Sequence, residues 1–316
     1  MCVDMPDLEN SFSWSKSRDD IFRSCRRRYF FNYYGSWGGW DPSVDRRTRQ
    51  IYILKNISSR HIWIGSIVHE FVQQLLDKIR YGYEVDLYSL LGNLRRTMRQ
   101  DFERSENGNY TRYPKIDGRT YGLFEHEYNV FIPNREWGQI FERAEMCLTN
   151  FFNSDTFRYI KSIGTENWLQ MERLQTFDFE GTPVYVKIDF ALENNGDIFI
   201  FDWKTGKVRD VEMDIQLACY GLYAQEKWGV PAQKIFCKRY NLYLDIVDNC
   251  EINDNVLQEA ESYMRKSISS MKELLYDKDK NIAIEDDFEM CSDEKICRDC
   301  NFKKVCPGWG LIQGSL

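Results

Sequence analysis

The feature that most constrains this fold is a change of hydrophobic period partway along the chain. Over residues 65–80, Ile67, Val68, Phe71, Val72, Leu75, Leu76 and Ile79 form one stripe, the repeat of an amphipathic helix. Residues 183–192 alternate instead, with Val184, Val186, Ile188, Phe190 and Leu192 on one face and Tyr185, Lys187 and Asp189 on the other. That two-residue repeat predicts a strand. Asn194-Asn195-Gly196-Asp197 supplies the turn of a hairpin, and a second strand follows over 198–205. Upstream, Ser17–Asp20 reads as a capping box opening a helix to about Tyr34, with Ile21, Cys25 and Tyr29 on its apolar side. Gly35–Pro42 ends it, and helices dominate 83–153 apart from a polar loop near 105–118. A helix over about 212–228, stopped at Gly229, a strand near 234–247 and a long helix near 254–276 complete the chain. The expectation is an α/β protein, a small mixed sheet flanked by helices. Its segments are 1–64 (Cys25 and a basic helix), 65–165 (helical, with His69), 166–250 (the core) and 251–316 (helix and cysteines), together one compact unit.

Composition removes several classes. With 43% hydrophobic and 29% charged residues the chain is too apolar for disorder. It lacks a run of about 18 apolar residues, which argues against a membrane span. Met1–Pro6 has neither the basic nor the apolar region of a signal peptide, so a cytoplasmic protein is expected. The net charge of −7 speaks weakly against nucleic acid. Yet Arg23, Arg26, Arg27, Arg28, Arg46, Arg47, Arg49, Lys55 and Arg60 cluster near the N-terminus, and local field decides what a surface attracts.

The chemistry concentrates in Ile188-Asp189 and Asp202-Trp203-Lys204. A hairpin brings Asp189 and Asp202 side by side, and Lys204 shares a face with Asp202. Hard divalent cations take one or two carboxylates and keep positions for water and phosphate. A lysine beside them suits metal-assisted phosphodiester hydrolysis. An isolated Asp-x-Lys is more often ordinary surface charge, so its neighbours matter. His69, four residues after Gly65, sits at the margin of its helix stripe, and imidazole favours Mn²⁺-type metals. Glu70 falls on the opposite, solvent side. Gln216 and Tyr220 share a helix face. Glu172 precedes the hairpin, but its register is ambiguous.

Ten cysteines include Cys291, Cys297, Cys300 and Cys306 near the C-terminus. By spacing alone, structural zinc and an iron–sulfur cluster stand equal. Cys2, Cys147, Cys219, Cys237 and Cys250 read as ordinary residues.

Taken in order, Gly65-x-x-x-His69, Glu172, Ile188-Asp189, Asp202-Trp203-Lys204-Thr205-Gly206 and Gln216-Leu217-x-x-Tyr220 resemble the RecB-type branch of the PD-(D/E)XK nucleases. Ile188 replaces the name-giving proline. The resemblance spans residues 11–306. It implies a restriction-endonuclease-like core with a helical N-terminal insertion. It also implies Mg²⁺ or Mn²⁺ on His69, Asp189 and Asp202, with catalytic Lys204 and a supporting Gln216/Tyr220 helix. Cys297-x-x-Cys300-x₅-Cys306 with Cys25, in Cys25-x-Arg27-x-Tyr29-Phe30, is similar to the 4Fe–4S staple of AddB, exonuclease V and CRISPR-adaptation RecB-like nucleases. Such a staple ties the two chain ends together. Cys291 is a rival fourth ligand, and Zn²⁺ is the alternative occupant.

The expected partner is DNA, as single strands or ends, with Trp14, Trp37 and Trp40 as candidate base-stacking residues. No G-x-x-x-x-G-K-[ST] occurs, so unwinding would need a helicase partner. DNA repair, recombination and phage or antiviral defence are all compatible settings. The competing readings are a catalytically silent DNA-binding or assembly subunit and a zinc-stapled RNA-processing enzyme.

Overall fold

The computed structural model describes residues 9–116, 118–208 and 215–309. Cys2 and the start of the helix expected from 212 lie outside them. The chain divides into two compact units. One is built from both chain ends with residues 178–185, the other from 57–177 and 186–261. The four segments read from sequence are cut at other places.

The main strands are β1 (Trp168–Met171), β2 (Leu174–Phe179), β3 (Thr182–Lys187), β4 (Phe190–Asn194), β5 (Asp197–Lys204), β6 (Ile235–Asn241) and β7 (Ile246–Cys250). In the larger unit a five-stranded sheet runs β7-β6-β5-β4-β1. Strand β2 pairs with β3 apart from that sheet, in a hairpin whose residues 178–185 belong to the smaller unit. Only β5 and β6 are parallel, so the sheet is mixed. The β4–β5 turn carries Asn195 and Gly196 at φ 55° and 81°, the left-handed pair that suits a two-residue hairpin.

Two expected strands are each divided. The strand read over 183–192 breaks at Ile188-Asp189, because the backbone N–H of Glu172 donates to the carbonyls of Ile188 (3.0 Å) and Asp189 (3.1 Å). Residues before the break pair with β2, and those after it join the sheet. The strand read over 234–247 reverses where Asn241 Oδ1 accepts from the N–H groups of Tyr243 (3.1 Å) and Leu244 (3.0 Å), an Asx-type turn. The polar loop near 105–118 is partly structured: the Leu87–Glu106 helix runs into it, and 115–116 pairs with 119–120.

The helices Arg60–Arg80, Leu87–Glu106 and Asn134–Asn153 pack on the sheet face that carries Phe190, Leu192, Phe201, Trp203 and Tyr240. Burying each such side chain contributes roughly 1.5–3 kcal/mol. The Ile215–Trp228 helix lies against the opposite face, where Cys237 Sγ is 4.0 Å from the Leu217 carbonyl. Asp202 and Lys204 point to that second face because they alternate with Phe201 and Trp203.

In the smaller unit the continuous helix expected over 17–34 is not formed. Ser15, rather than the 17–20 box, caps a helix over Lys16–Ser24. Cys25 is extended (φ −163°, ψ 118°), and its Sγ accepts from Arg28 N–H as a new helix starts at Arg26. Asp19 is fully buried and gathers hydroxyls from Tyr263 and Ser267 together with Arg23 Nε. Trp14 is fully buried too, its indole donating to Ser267 Oγ at 2.9 Å. It is therefore core, which corrects the base-stacking role read for it; Trp37 and Trp40 stay exposed, ring centroids 5.1 Å apart. No helix among the described residues is long and apolar enough to cross a membrane.

Asp19→Ala strands the buried Ser267 hydroxyl, the half-buried Tyr263 hydroxyl and an arginine. It should lower the unfolding free energy by about 3 kcal/mol, read as a lower urea midpoint, with Asp19→Asn losing less.

Candidate metal centre and active site

Helix packing brings His69 to the sheet. A Cβ added at Gly65, one turn before it, would stand 3.3 Å from Thr205 Oγ1, so the glycine lets this helix approach the end of β5. His69 Nε2 then reaches the Trp203 carbonyl at 3.0 Å, while Nδ1 lies 2.9 Å from Glu172 Oε1 and 3.2 Å from Asp189 Oδ1. With Nε2 donating to Trp203, the lone pair of the neutral ring sits on Nδ1 and faces both carboxylates; a backbone carbonyl holding the far ring nitrogen is how metal-ligating histidines are commonly oriented. His69, Glu172 and Asp189 form a group able to hold a metal ion. One nitrogen and two carboxylate oxygens suit Mn²⁺ or Mg²⁺.

The charges agree with this geometry. Burial alone would lower the His69 pKa, but Asp189 and Glu172 hold it well above the usual histidine value. Burial would raise Glu172, but His69 and Lys187 hold it below its usual value. Glu172 also sits at φ 47°, a left-handed conformation that costs a non-glycine residue about 1 kcal/mol. Its carboxylate is pinned on both sides, by His69 and by Lys187 Nζ at 2.5 Å.

Hairpin register places the second group. Phe190 pairs with Phe201, so the next step sets Asp189 beside Asp202, and Asp189 Oδ2 accepts from the Trp203 N–H at 2.7 Å. Asp202 lies outside the His69 ligand group, its carboxylate 2.8 Å from Lys204 Nζ. Lys204 is followed by a polar chain: its Nζ is 3.4 Å from Gln216 Oε1, Gln216 Nε2 donates to Tyr220 Oη at 2.6 Å, and Tyr220 donates to the Lys187 carbonyl at 2.8 Å. A cleft of about 380 Å³ is lined by His69, Asp189, Asp202, Lys204, Gln216 and Arg239. A second, of about 640 Å³, is lined by His69, Glu70, Gln73, Arg119, Glu172 and Lys187. Glu70, expected to face solvent, lines the second cleft with Arg119 Nε 3.4 Å away.

Several residues escaped the sequence reading. Arg143, buried on the apolar face of its helix, donates to the Thr205 carbonyl (Nε 2.8 Å), and Asn241 Nδ2 donates to the Gly206 carbonyl (3.0 Å). Together they hold the turn after Lys204. A single arginine among Ile140, Ala144, Cys147 and Leu148 was a legible signal. Lys187 shares a face with Asp189, and only the fold shows that it meets Glu172.

In the smaller unit, Cys25, Cys291, Cys297, Cys300 and Cys306 line one apolar cavity. Burial, aided by the neighbouring thiols, pushes Cys297 up to about 11 and raises Cys300 and Cys306. Among the described residues no three of these sulfurs lie within 4.8 Å of one another. Cys147, Cys219 and Cys237 are buried elsewhere.

The sequence profile of the PD-(D/E)XK nuclease superfamily matches residues 13–307. This chain belongs to that superfamily, whose fold its mixed sheet and flanking helices fit. Membership implies metal-dependent nuclease activity on DNA, with Mg²⁺ or Mn²⁺. No curated protein matches the chain.

A cation at Nδ1 competes with the proton that the carboxylates hold there. Protonation of His69 is favoured below its raised pKa, so Mn²⁺ affinity should fall there by up to about tenfold per pH unit. Calorimetric Mn²⁺ titrations across pH 6–9 check this, and His69→Ala should weaken binding and flatten the dependence.

Proposed function

We propose that this protein is a RecB/AddB-type DNA nuclease, an exonuclease or end-processing enzyme acting on single strands or DNA ends. The observation that carries the reading is the polar chain from Asp202 through Lys204, Gln216 and Tyr220 to the Lys187 backbone, set beside the His69–Glu172–Asp189 group. When bound, the cation supplies Lewis-acid activation of phosphate and water. His69, Asp189 and Glu172 hold it, with Asp202 facing the same cleft as His69 and Asp189. Lys204, steadied by Asp202 and Gln216, offsets charge on the phosphate and orients the attacking water. Tyr220 fixes Gln216 and so the reach of Lys204. A silent scaffold has no need of this chain of contacts. Strand separation on long duplexes falls to a separate helicase subunit.

The same reading gives Cys25, Cys297, Cys300 and Cys306 a structural 4Fe–4S cluster. The thiols and their cavity support it. Four sulfurs on one zinc at bonds of about 2.3 Å would lie about 3.8 Å apart, closer than these sulfurs gather. In a cubane each sulfur binds its own iron and spacing is wider.

Asp202→Asn and Lys204→Ala should each reduce Mn²⁺- or Mg²⁺-dependent cleavage of labelled DNA by at least about 100-fold, with DNA binding in EDTA retained. Free-ended substrates should be cut and the same DNA with both ends blocked should be spared. Full activity in either variant overturns the site. Anaerobic protein should be brown, with about four irons per chain, and Cys25→Ser should lose iron where Cys291→Ser keeps it. Stoichiometric zinc without iron overturns the cluster.

A further inference from the structure

Three consecutive arginines follow Cys25, and the fold treats them differently. Arg26 lies 3.5 Å from Glu289, and Arg27 lies 2.9 Å from Glu285 while its Nε donates to the Phe288 carbonyl. Arg28 has no carboxylate at ion-pair distance among the described residues, and its Nε is buried without a hydrogen-bond partner. Its side chain instead lines the cavity of the five thiols. Lys303 lines the same cavity, but its ammonium donates to the Arg298 carbonyl at 2.9 Å.

Arg28 is half-buried, but its Nε is shut away from water with no hydrogen-bond partner, which is costly for a group that is always charged. Negative charge on the sulfurs that line the same cavity would offset that cost. We infer that Arg28 is the counter-charge of the metal–sulfur centre, a positioning residue that donates to its sulfur atoms and sets its reduction potential. This rests on the cluster reading above. A cubane with a 2+ core on four thiolates carries a net charge of −2. One electron from dithionite makes it −3, with no bond made or broken and no proton taken. A fixed cation in a poorly screened cavity stabilises the more negative state more, and cluster potentials respond to net charge and to hydrogen bonds on the sulfurs.

The test is a dithionite titration of anaerobically purified full-length parent, Arg28→Gln and Arg28→Lys, followed by visible absorbance and electron paramagnetic resonance, with iron counted per chain. Arg28→Gln should keep its iron while its midpoint falls by at least about 59 mV, a tenfold loss in the one-electron equilibrium. Arg28→Lys, which keeps the charge, should shift less. Iron lost from Arg28→Gln but kept in Arg28→Lys also supports the inference, because charge then holds the centre. An unchanged midpoint in iron-replete Arg28→Gln overturns it, as does equal loss of iron from both variants. A parent that holds zinc and no iron overturns the cluster reading, and this inference with it.

Discussion

One imidazole organises the larger unit. His69 holds the Trp203 carbonyl with one ring nitrogen and two carboxylates with the other, so a single side chain couples a long helix to the centre of the sheet. Gly65 makes the approach possible, and Trp203 is at once core on one side of β5 and backbone ligand of the histidine. Alternation along β5 does the rest. Phe201 and Trp203 bury into the helical layer, and Asp202 and Lys204 are left on the other face with nowhere to go but the cleft.

The site is assembled from local compromises that only the surrounding contacts hold in place. Glu172 is kept in a left-handed backbone by hydrogen bonds to Ile188 and Asp189, and its carboxylate is gripped between His69 and Lys187. The break between β3 and β4 frees Asp189 from ladder pairing, so its carboxylate can reach Trp203. Strain at Glu172, the broken strand at Ile188-Asp189 and buried charge meet at one place in the fold, as expected where function overrides local preference.

The smaller unit follows the same rule by other means. Buried charge is tolerated where it is matched: Asp19 by Tyr263, Ser267 and Arg23, and Arg27 by Glu285 and the Phe288 carbonyl. Cys25 interrupts a helix that the sequence pattern would have continued, and the interruption turns its thiol into the cavity it shares with four others. Phe288 packs against Tyr29 and Phe30, and Phe302 against Phe31, so aromatic contacts draw N- and C-terminal segments around those thiols.

Much of this was legible in the order of residues. The change of period located the helices and the hairpin, and the Asn195-Gly196 turn set the register that places Asp189 by Asp202. Spacing also placed Gln216 and Tyr220 on one face. These are short-range properties, decided by alternation and turn chemistry. Glu172 could not be placed, because its role depends on a positive φ and on Lys187 from another strand. Arg143, Asn241 and the burial of Trp14 likewise depend on what packs across from them. Five thiols in one cavity and an arginine without a carboxylate are facts of the same kind. The sequence by itself determined which residues alternate, turn and cap; tertiary packing alone decided which charges meet, because partners far apart in sequence are chosen by the approach of whole elements.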